Sequence, residues 1–155
     1  MGETCQQALR VGFDTVIKLE FHGAKVSWDT GLFPFRDLDE VAQLTESGAA
    51  ELFDVRTGSH ICHSMIALLR QSIYSRLAGY EDVNDTERLR VDPVMRYVVG
   101  GRAADRDAAS TSQVARFDTD VLCHPDNLDA LMAMSGQWVD RIRRFAAISS
   151  RAVPI

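Results

Sequence analysis

The chain has 155 residues, of which 46% are hydrophobic and 25% charged, and a net charge of −5. This length suits a single domain that buries a core without disulfides, and no apolar run reaches the roughly 20 residues of a membrane span. The N-terminus lacks the basic and apolar regions of a signal peptide. Three scattered cysteines make an odd set, which favours reduced thiols and a cytoplasmic location.

The charges are unevenly distributed along the chain. Residues 1–62 carry 5 Lys+Arg against 10 Asp+Glu, whereas residues 63–155 carry 12 against 12. Fifteen of the 17 basic residues are arginine, which suits bidentate contacts to phosphate or guanine. A GC-rich genome explains the same preference, so charge alone leaves the partner open.

The first element predicted in chain order is a β-hairpin. Between Val11 and Trp28 apolar and polar residues alternate, with a break at His22-Gly23. Alternation around a short glycine-containing connection is typical of a hairpin with one buried face.

From Leu38 onward the apolar residues recur with helical spacing. A short helix is predicted to end near Ser47-Gly48, and another turn at Ala49–Phe53. The strongest helix is predicted from about His60 to Gly79, and it carries one continuous apolar stripe: Ile61, Met65, Leu68, Leu69, Ile73 and Leu77.

Capping residues place the remaining helices. Asn84 or Asp85 is predicted to cap a helix through Val91, and Asp92-Pro93 begins the next, which Gly100-Gly101 ends. Ser110 opens a capping box and a helix through about Leu122. A last long helix starts at Pro125, and its predicted inward stripe is Leu128, Leu131, Met132, Trp138, Val139, Ile142 and Phe145.

Two clusters are candidates for chemistry. Glu81, Asp82 and Asp85 could hold a divalent metal, but acids at a helix start have a simpler role in capping N–H groups, and the structural interpretation is favoured. The histidines and cysteines at His60, Cys62, His63, Cys123 and His124 match no common zinc spacing, which favours a core thiol with histidines at a helix start. The sequence has no strong catalytic motif, P-loop or dinucleotide fingerprint.

Residues 86–122 show a different pattern, with short helices joined by tight connections. This pattern fits a helix-turn-helix-like unit, in which the start of the second helix contacts bases or phosphates. Thr111, Ser112, Gln113 and Arg116 have suitable side chains, although the connection at 100–109 is longer than the usual turn.

Four segments carry a family resemblance. They are DTGLFPFRDLD at 29–39, LLRQSIYSRLAGYEDVND at 68–85, Leu89 to Pro93, and Ser110 to Asp118. In this order they resemble the N-terminal region of bacterial insertion-sequence transposases of the DDE class, with Thr30 where that family usually has glycine. The similarity covers nearly the whole chain from Val11.

The resemblance implies a helical region that precedes a ribonuclease-H-like catalytic core. In such transposases the first core strand carries the first catalytic aspartate, and RAVPI at 151–155 occupies the position where that strand starts. We therefore assign no catalytic residue and no metal ligand, and no cofactor in this region, whereas the full-length family is expected to use a divalent metal such as magnesium. The resemblance predicts a chain truncated before its catalytic acids.

The sequence thus predicts a mainly α fold, a multi-helix N-terminal domain with a small β-hairpin. The predicted divisions are 1–35 with the hairpin, 36–148 as the helical domain, and 149–155 as the start of a missing catalytic domain. The predicted function is binding of transposon-end DNA, with a homodimer or a full-length transposase as a further partner and no membrane. The alternatives are a protein-interaction module or a remnant without function. The predicted DNA contacts are Ser112, Gln113, Arg116, Arg102, Arg106, Arg141, Arg143 and Arg144.

Overall fold

The computed structural model describes residues 9–10, 12–13, 18–19, 31–57 and 61–151. The described chain is mainly helical, as predicted. Its longer helices are α1 (Leu32–Ala42), α2 (Leu44–Glu51), α3 (Met65–Leu77) and α8 (Pro125–Arg151). Shorter helices lie between α3 and α8: α4 (Thr86–Leu89), α5 (Pro93–Val99), α6 (Arg102–Asp105) and α7 (Thr111–Arg116), with a 3-10 turn at Val83–Asp85 and a π-helical segment at Phe117–Leu122.

The predicted hairpin is not supported. Lys18–Leu19 (β2), which the prediction paired with a strand after His22-Gly23, pairs instead with an earlier strand. That strand is β1 (Leu9–Arg10), and the two run antiparallel. Residues 20–30, which include the predicted second strand, lie outside the described residues. The start of the chain is tied to α1, where the Asp37 carboxylate accepts from the Gly12 and Phe13 N–H groups at 2.7 and 3.0 Å.

Several predicted helix ends are confirmed by their capping geometry. Gly79 follows α3 with a φ of +87°, which a residue with a side chain rarely adopts. The Asp92 carboxylate accepts from the Met95 N–H at 2.8 Å, with Pro93 at the first helical position. Ser110 and Gln113 form the predicted capping box at the start of α7.

Other predicted ends are wrong. The helix expected from Leu38 begins at Leu32 and is separated from α2 by Gln43, whose φ is +51°. Ser47-Gly48 lies inside α2, because Gly48 allows close packing on α8: a Cβ there would lie 2.9 Å from Met134 Sδ. The long helix starts at Met65, where the Ser64 hydroxyl accepts from the Ala67 N–H.

The predicted inward face of α8 is also wrong in part. Leu128, Met132, Val139 and Phe145 are exposed, and Met132 retains 78% of its surface. The buried residues of this helix are Asn127 and Met134 instead. The second half of α8 therefore extends past the core, although its sequence continues an apolar stripe.

Two hydrophobic clusters form the core on either side of α3. The first joins α1, α3, α5 and α6, and the second joins α3 to α7, the π-helical segment and α8. Burial of this apolar surface is the main force that holds the short helices in place. Among the described residues, no helix combines the length and apolar character that crossing a bilayer requires.

A buried carboxylate, Asp39, joins α1, α2 and α3. It accepts hydrogen bonds of 2.6 Å from the Thr45 N–H, the Thr45 hydroxyl and the Tyr74 hydroxyl. Its Oδ2 lies 3.3 Å from Arg70 Nε and 3.8 Å from Arg36 Nη1. Burial, with the Asp39 charge, raises the pKa of Tyr74 above its ordinary value of 10.0 and keeps its hydroxyl a donor.

Candidate nucleic-acid interface

Two adjoining hollows form a groove beside α6 and α7. Their volumes are about 380 and 510 Å³, and both are lined by Cys62, His63 and Gln113. The walls add five arginines and two aspartates: Arg56, Arg90, Arg102, Arg106, Arg116, Asp107 and Asp120. We call this surface the cationic groove, because it gathers an excess of positive charge on a chain whose net charge is −5.

Two of the five arginines are already neutralised by carboxylates. Arg56 donates to both oxygens of Asp54 at 2.7 and 2.8 Å, and this contact lowers the pKa of Asp54. Arg90 lies 2.7 Å from Asp107 and 3.2 Å from Glu87. These arginines serve the fold, since Arg56 also donates to the His63 carbonyl at 2.8 Å.

The other three arginines of the groove have free charge. Within residues 31–57 and 61–151, no carboxylate forms an ion pair with Arg102, Arg106 or Arg116, and all three are exposed. An exposed, unpaired guanidinium is well suited to bind a phosphate. These are three of the predicted contacts, and the structure brings them together with Gln113 around one groove.

The backbone that carries Arg102 and Arg106 is held by Arg96. Its Nε donates to the carbonyls of Ala103 and Arg106 at 3.0 and 2.6 Å, and its Nη2 donates to that of Ala104 at 3.1 Å. One guanidinium thus binds the carbonyls of α6 and the turn after it. Arg96 does not line the groove; it positions the two arginines that do.

The wall formed by α7 is fixed by the buried side chain of Gln71 on α3. Its amide donates to the Ala109 carbonyl and accepts from the Ala109 N–H, both at 2.8 Å. Ala109 directly precedes the capping box, in which the Gln113 Oε1 accepts from the Ser110 N–H at 2.9 Å. The Gln113 amide nitrogen donates no hydrogen bond within the described part of the chain, and Gln113 lines both hollows of the groove.

The start of α7 is already occupied. The Glu87 carboxylate accepts from the Thr111 N–H and hydroxyl at 3.3 and 3.1 Å, which, with Arg90, lowers the pKa of Glu87. Ser112 is exposed, and its hydroxyl lies 3.2 Å from that of Ser110. Ser112 lines neither of the two hollows. The free groups of this helix are therefore Gln113 and Arg116, not its first N–H groups.

The three predicted contacts on α8 lie elsewhere. Arg141 and Arg144 line a separate hollow with Val41, and Arg143 is 4.0 Å from Asp140. Asn127, near the start of α8, donates to the Val121 carbonyl, and Arg143 is about 24 Å further along the helix axis. The structure does not bring these arginines to the cationic groove.

The acid cluster after α3 does not converge. Asp82 Oδ1 accepts from the Asn84 N–H and side-chain amide at 2.8 and 2.9 Å, which lowers the pKa of Asp82. Asp85 stands at the N-cap position of α4, as predicted, but its side chain makes no capping hydrogen bond. Among the described residues, no group of three histidine, cysteine, aspartate or glutamate side chains lies close enough together to hold a metal ion.

The prediction of a core thiol is wrong as well. Cys62 and Cys123 are both exposed, and His60 lies outside the described residues. The buried member of the group is His63, with 8% of its surface exposed, at the centre of the groove. The sequence analysis considered His63 as a zinc ligand or as a histidine at a helix start, and neither interpretation predicted that it lines a groove.

A comparison with protein families assigns the chain to a family. The sequence model of the family described as transposase DDE domain group 1 matches residues 9–153. The chain therefore belongs to this family of transposases. Neither the curated proteins nor the solved structures gave a match to the chain.

Proposed function

We propose that the helical domain at 36–148 binds the DNA of transposon ends in transposition, and that the cationic groove contacts the DNA backbone. The observation that carries this proposal is a group of exposed arginines, Arg102, Arg106 and Arg116, that form no ion pair within the described residues of an otherwise acidic protein. Family membership supports DNA as the ligand. No catalytic step is assigned to this domain, and none of the acids at 81–85 enters the proposal.

The chemistry of the groove favours contact with phosphate over direct readout of bases. Its free donors are guanidinium groups and one amide, Gln113, which sits between the two hollows. Guanidinium groups bind phosphate oxygens in any sequence, whereas one amide gives little discrimination between bases. We expect the groove to fix the position of the domain on the duplex and to bind most duplexes with similar affinity.

The salt dependence of binding tests this proposal. For a labelled 20-base-pair duplex, each phosphate contact adds about 0.9 to the slope of log K against log salt concentration. We expect Arg116→Ala to lower this slope by about 0.9, as measured by fluorescence anisotropy at several salt concentrations. Arg143→Ala removes the same charge from α8, about 24 Å along the helix axis from Asn127, and is the matched control, with no expected change.

An unchanged slope and affinity for Arg116→Ala would contradict the groove as the interface. Equal losses in both variants would instead show that α8 contributes to binding, as the sequence first predicted.

A second candidate function is a protein-interaction module, which the exposed apolar residues of α8 favour. Met132 and Ile148 retain 78% and 68% of their surface, and Val139 and Phe145 are exposed beside them. Exposed apolar patches of this kind mark many protein-protein contacts. A dimer that forms with rising concentration in light scattering, together with no DNA binding, would favour this function over the first.

A further inference from the structure

His63 is the most buried charged or polar residue that lines the cationic groove. It is 8% exposed and lines both hollows, and its ring nitrogens have no hydrogen-bond partner among the described residues. The ring nitrogens are not among the fully buried polar atoms that lack a partner, so they are open to the groove. A ligand in the groove can therefore form a hydrogen bond with the imidazole.

The surroundings of His63 show which ligand fits. The groups that line the two hollows around it are mostly cationic, and the acidic ones are partly engaged: Asp107 pairs with Arg90. The other titratable or charged residues that line the two hollows with His63 are Arg56, Cys62, Arg90, Arg102, Arg106, Asp107, Arg116 and Asp120. Five arginines against two aspartates would repel a cation, whereas they would attract an anion with several acceptor oxygens.

We propose that His63 is the centre of a phosphate subsite, which takes one phosphodiester of the DNA backbone as an imidazolium donor, with Arg102 and the Gln113 amide as neighbours. The proposal rests on the proposed function, since the phosphate belongs to bound DNA. It adds a contact to an imidazole that makes no hydrogen bond within the described residues and is open to the groove, and this contact requires a proton.

The requirement for a proton follows from the position of His63. Burial, and then the positive charges of Arg102 and Arg56, lower the pKa of His63 below its ordinary value of 6.5, so the ring is neutral in the free protein near pH 7. A phosphate beside the ring favours its charged form. Binding therefore takes up a proton, and the affinity for DNA rises as the pH falls.

The test measures the affinity for a labelled 20-base-pair duplex at pH 6.0, 7.0 and 8.0 and constant ionic strength. One linked proton changes affinity by at most about tenfold per pH unit, and we expect binding about three- to tenfold tighter at pH 6.0 than at pH 8.0. His63→Gln should reduce this ratio to below about twofold. The control His124→Gln removes another histidine, which lies beside Asp126 and Phe53, and should behave as the unmodified chain.

A second measurement does not depend on a variant that folds. NMR titration of the His63 ring in the unmodified chain should show protonation on addition of the duplex, and a weaker effect of inorganic phosphate. The subsite is overturned, while the proposed function stands, if DNA binds but two results are negative: His63→Gln keeps the pH dependence of the unmodified chain, and the ring signals of His63 do not change. If only inorganic phosphate affects the ring, the subsite serves a free anion and the assignment to DNA is overturned. If the chain does not bind the duplex and the His63 ring does not respond to phosphate, both proposals are overturned.

Discussion

Around Asp39 two arginines are nearly buried and share one carboxylate, whereas in the cationic groove Arg102, Arg106 and Arg116 are exposed and have no carboxylate partner in the described part of the chain. The chemistry of the side chain is the same in both regions, but its surroundings differ. Burial makes a missing partner costly, so the first region fixes the fold. An exposed guanidinium without a carboxylate partner is solvated by water and costs little free energy, so the arginines of the second region are available to bind a ligand.

Two of the four segments that carry the family resemblance contribute residues to the first region, whereas the segment at 110–118 contributes Gln113 and Arg116 to the groove. Arg36 and Asp39 belong to the segment at 29–39, and Arg70, Gln71 and Tyr74 belong to the segment at 68–85. Their side chains contact one another or hold the chain before α7. These segments therefore identify the family through its folding requirements, and they say little about its ligand.

The largest expected effect is the loss of Asp39. Asp39→Ala leaves the nearly buried Arg70 beside no carboxylate and Arg36 with only the exposed Glu40, and removal of one member of a buried ion pair costs about 3–5 kcal/mol. Urea unfolding followed by circular dichroism measures the free energy of unfolding. Glu40→Ala on the same helix is the control: Glu40 pairs with Arg36 but its side chain is 52% exposed, so we expect a loss below about 1 kcal/mol. Equal losses would contradict the distinction between the two regions.

An intermediate effect is expected for Arg96, which borders the groove but has its donors bound. Arg96→Met removes three hydrogen bonds to the carbonyls of α6 and the following turn. We expect the free energy of unfolding to fall by about 1–2 kcal/mol. This value is low for hydrogen bonds from a charged group, because the Arg96 guanidinium is partly solvated. Arg106→Met, which removes a free charge from the same groove, should change the unfolding free energy by less than about 0.5 kcal/mol. A loss for Arg106 as large as that for Arg96 would show that the groove arginines stabilise the fold.

The smallest expected effect is the pH dependence of stability due to His63. Its pKa in the folded chain lies below the ordinary 6.5, so the unfolded chain binds the proton more strongly. The free energy of unfolding should therefore fall as the pH drops below 6.5, by less than about 1.4 kcal/mol per pH unit, the limit for one proton. Urea unfolding at pH 7.5, 6.5 and 5.5 measures this decrease. His63→Gln should show a shallower decrease, and parallel curves for the two chains would contradict the assignment.

Local sequence signals predicted the helix ends where a side chain or a glycine fixes the backbone. Gly79, Asp92 with Pro93, and Ser110 act as predicted, because capping depends on residues within one turn. The face of α8 was predicted wrongly because its apolar stripe continues beyond the region that packs on α2 and the π-helical segment. Periodicity shows that a helix has an apolar face, but not whether a partner covers it.

The candidate site was predictable only in part. The helix start and the basic connection directed attention to Arg102, Arg106, Gln113 and Arg116, whose contact with DNA stays a prediction. His63 and Arg56 are far from them along the chain and gave no comparable signal. Which arginines retain free charge depends on carboxylates such as Asp54 and Asp107, and this pairing is visible only in three dimensions.

Two buried side-chain amides hold non-helical backbone segments against the helices. Gln71 exchanges both hydrogen bonds with Ala109, and Asn127 does the same with Phe53, accepting at 2.6 Å and donating at 2.9 Å. Each side chain thus replaces one rung of an antiparallel ladder, since it offers a donor and an acceptor side by side. A carboxylate of the same shape would accept but not donate, so glutamate or aspartate at these two positions would set two oxygens against each other.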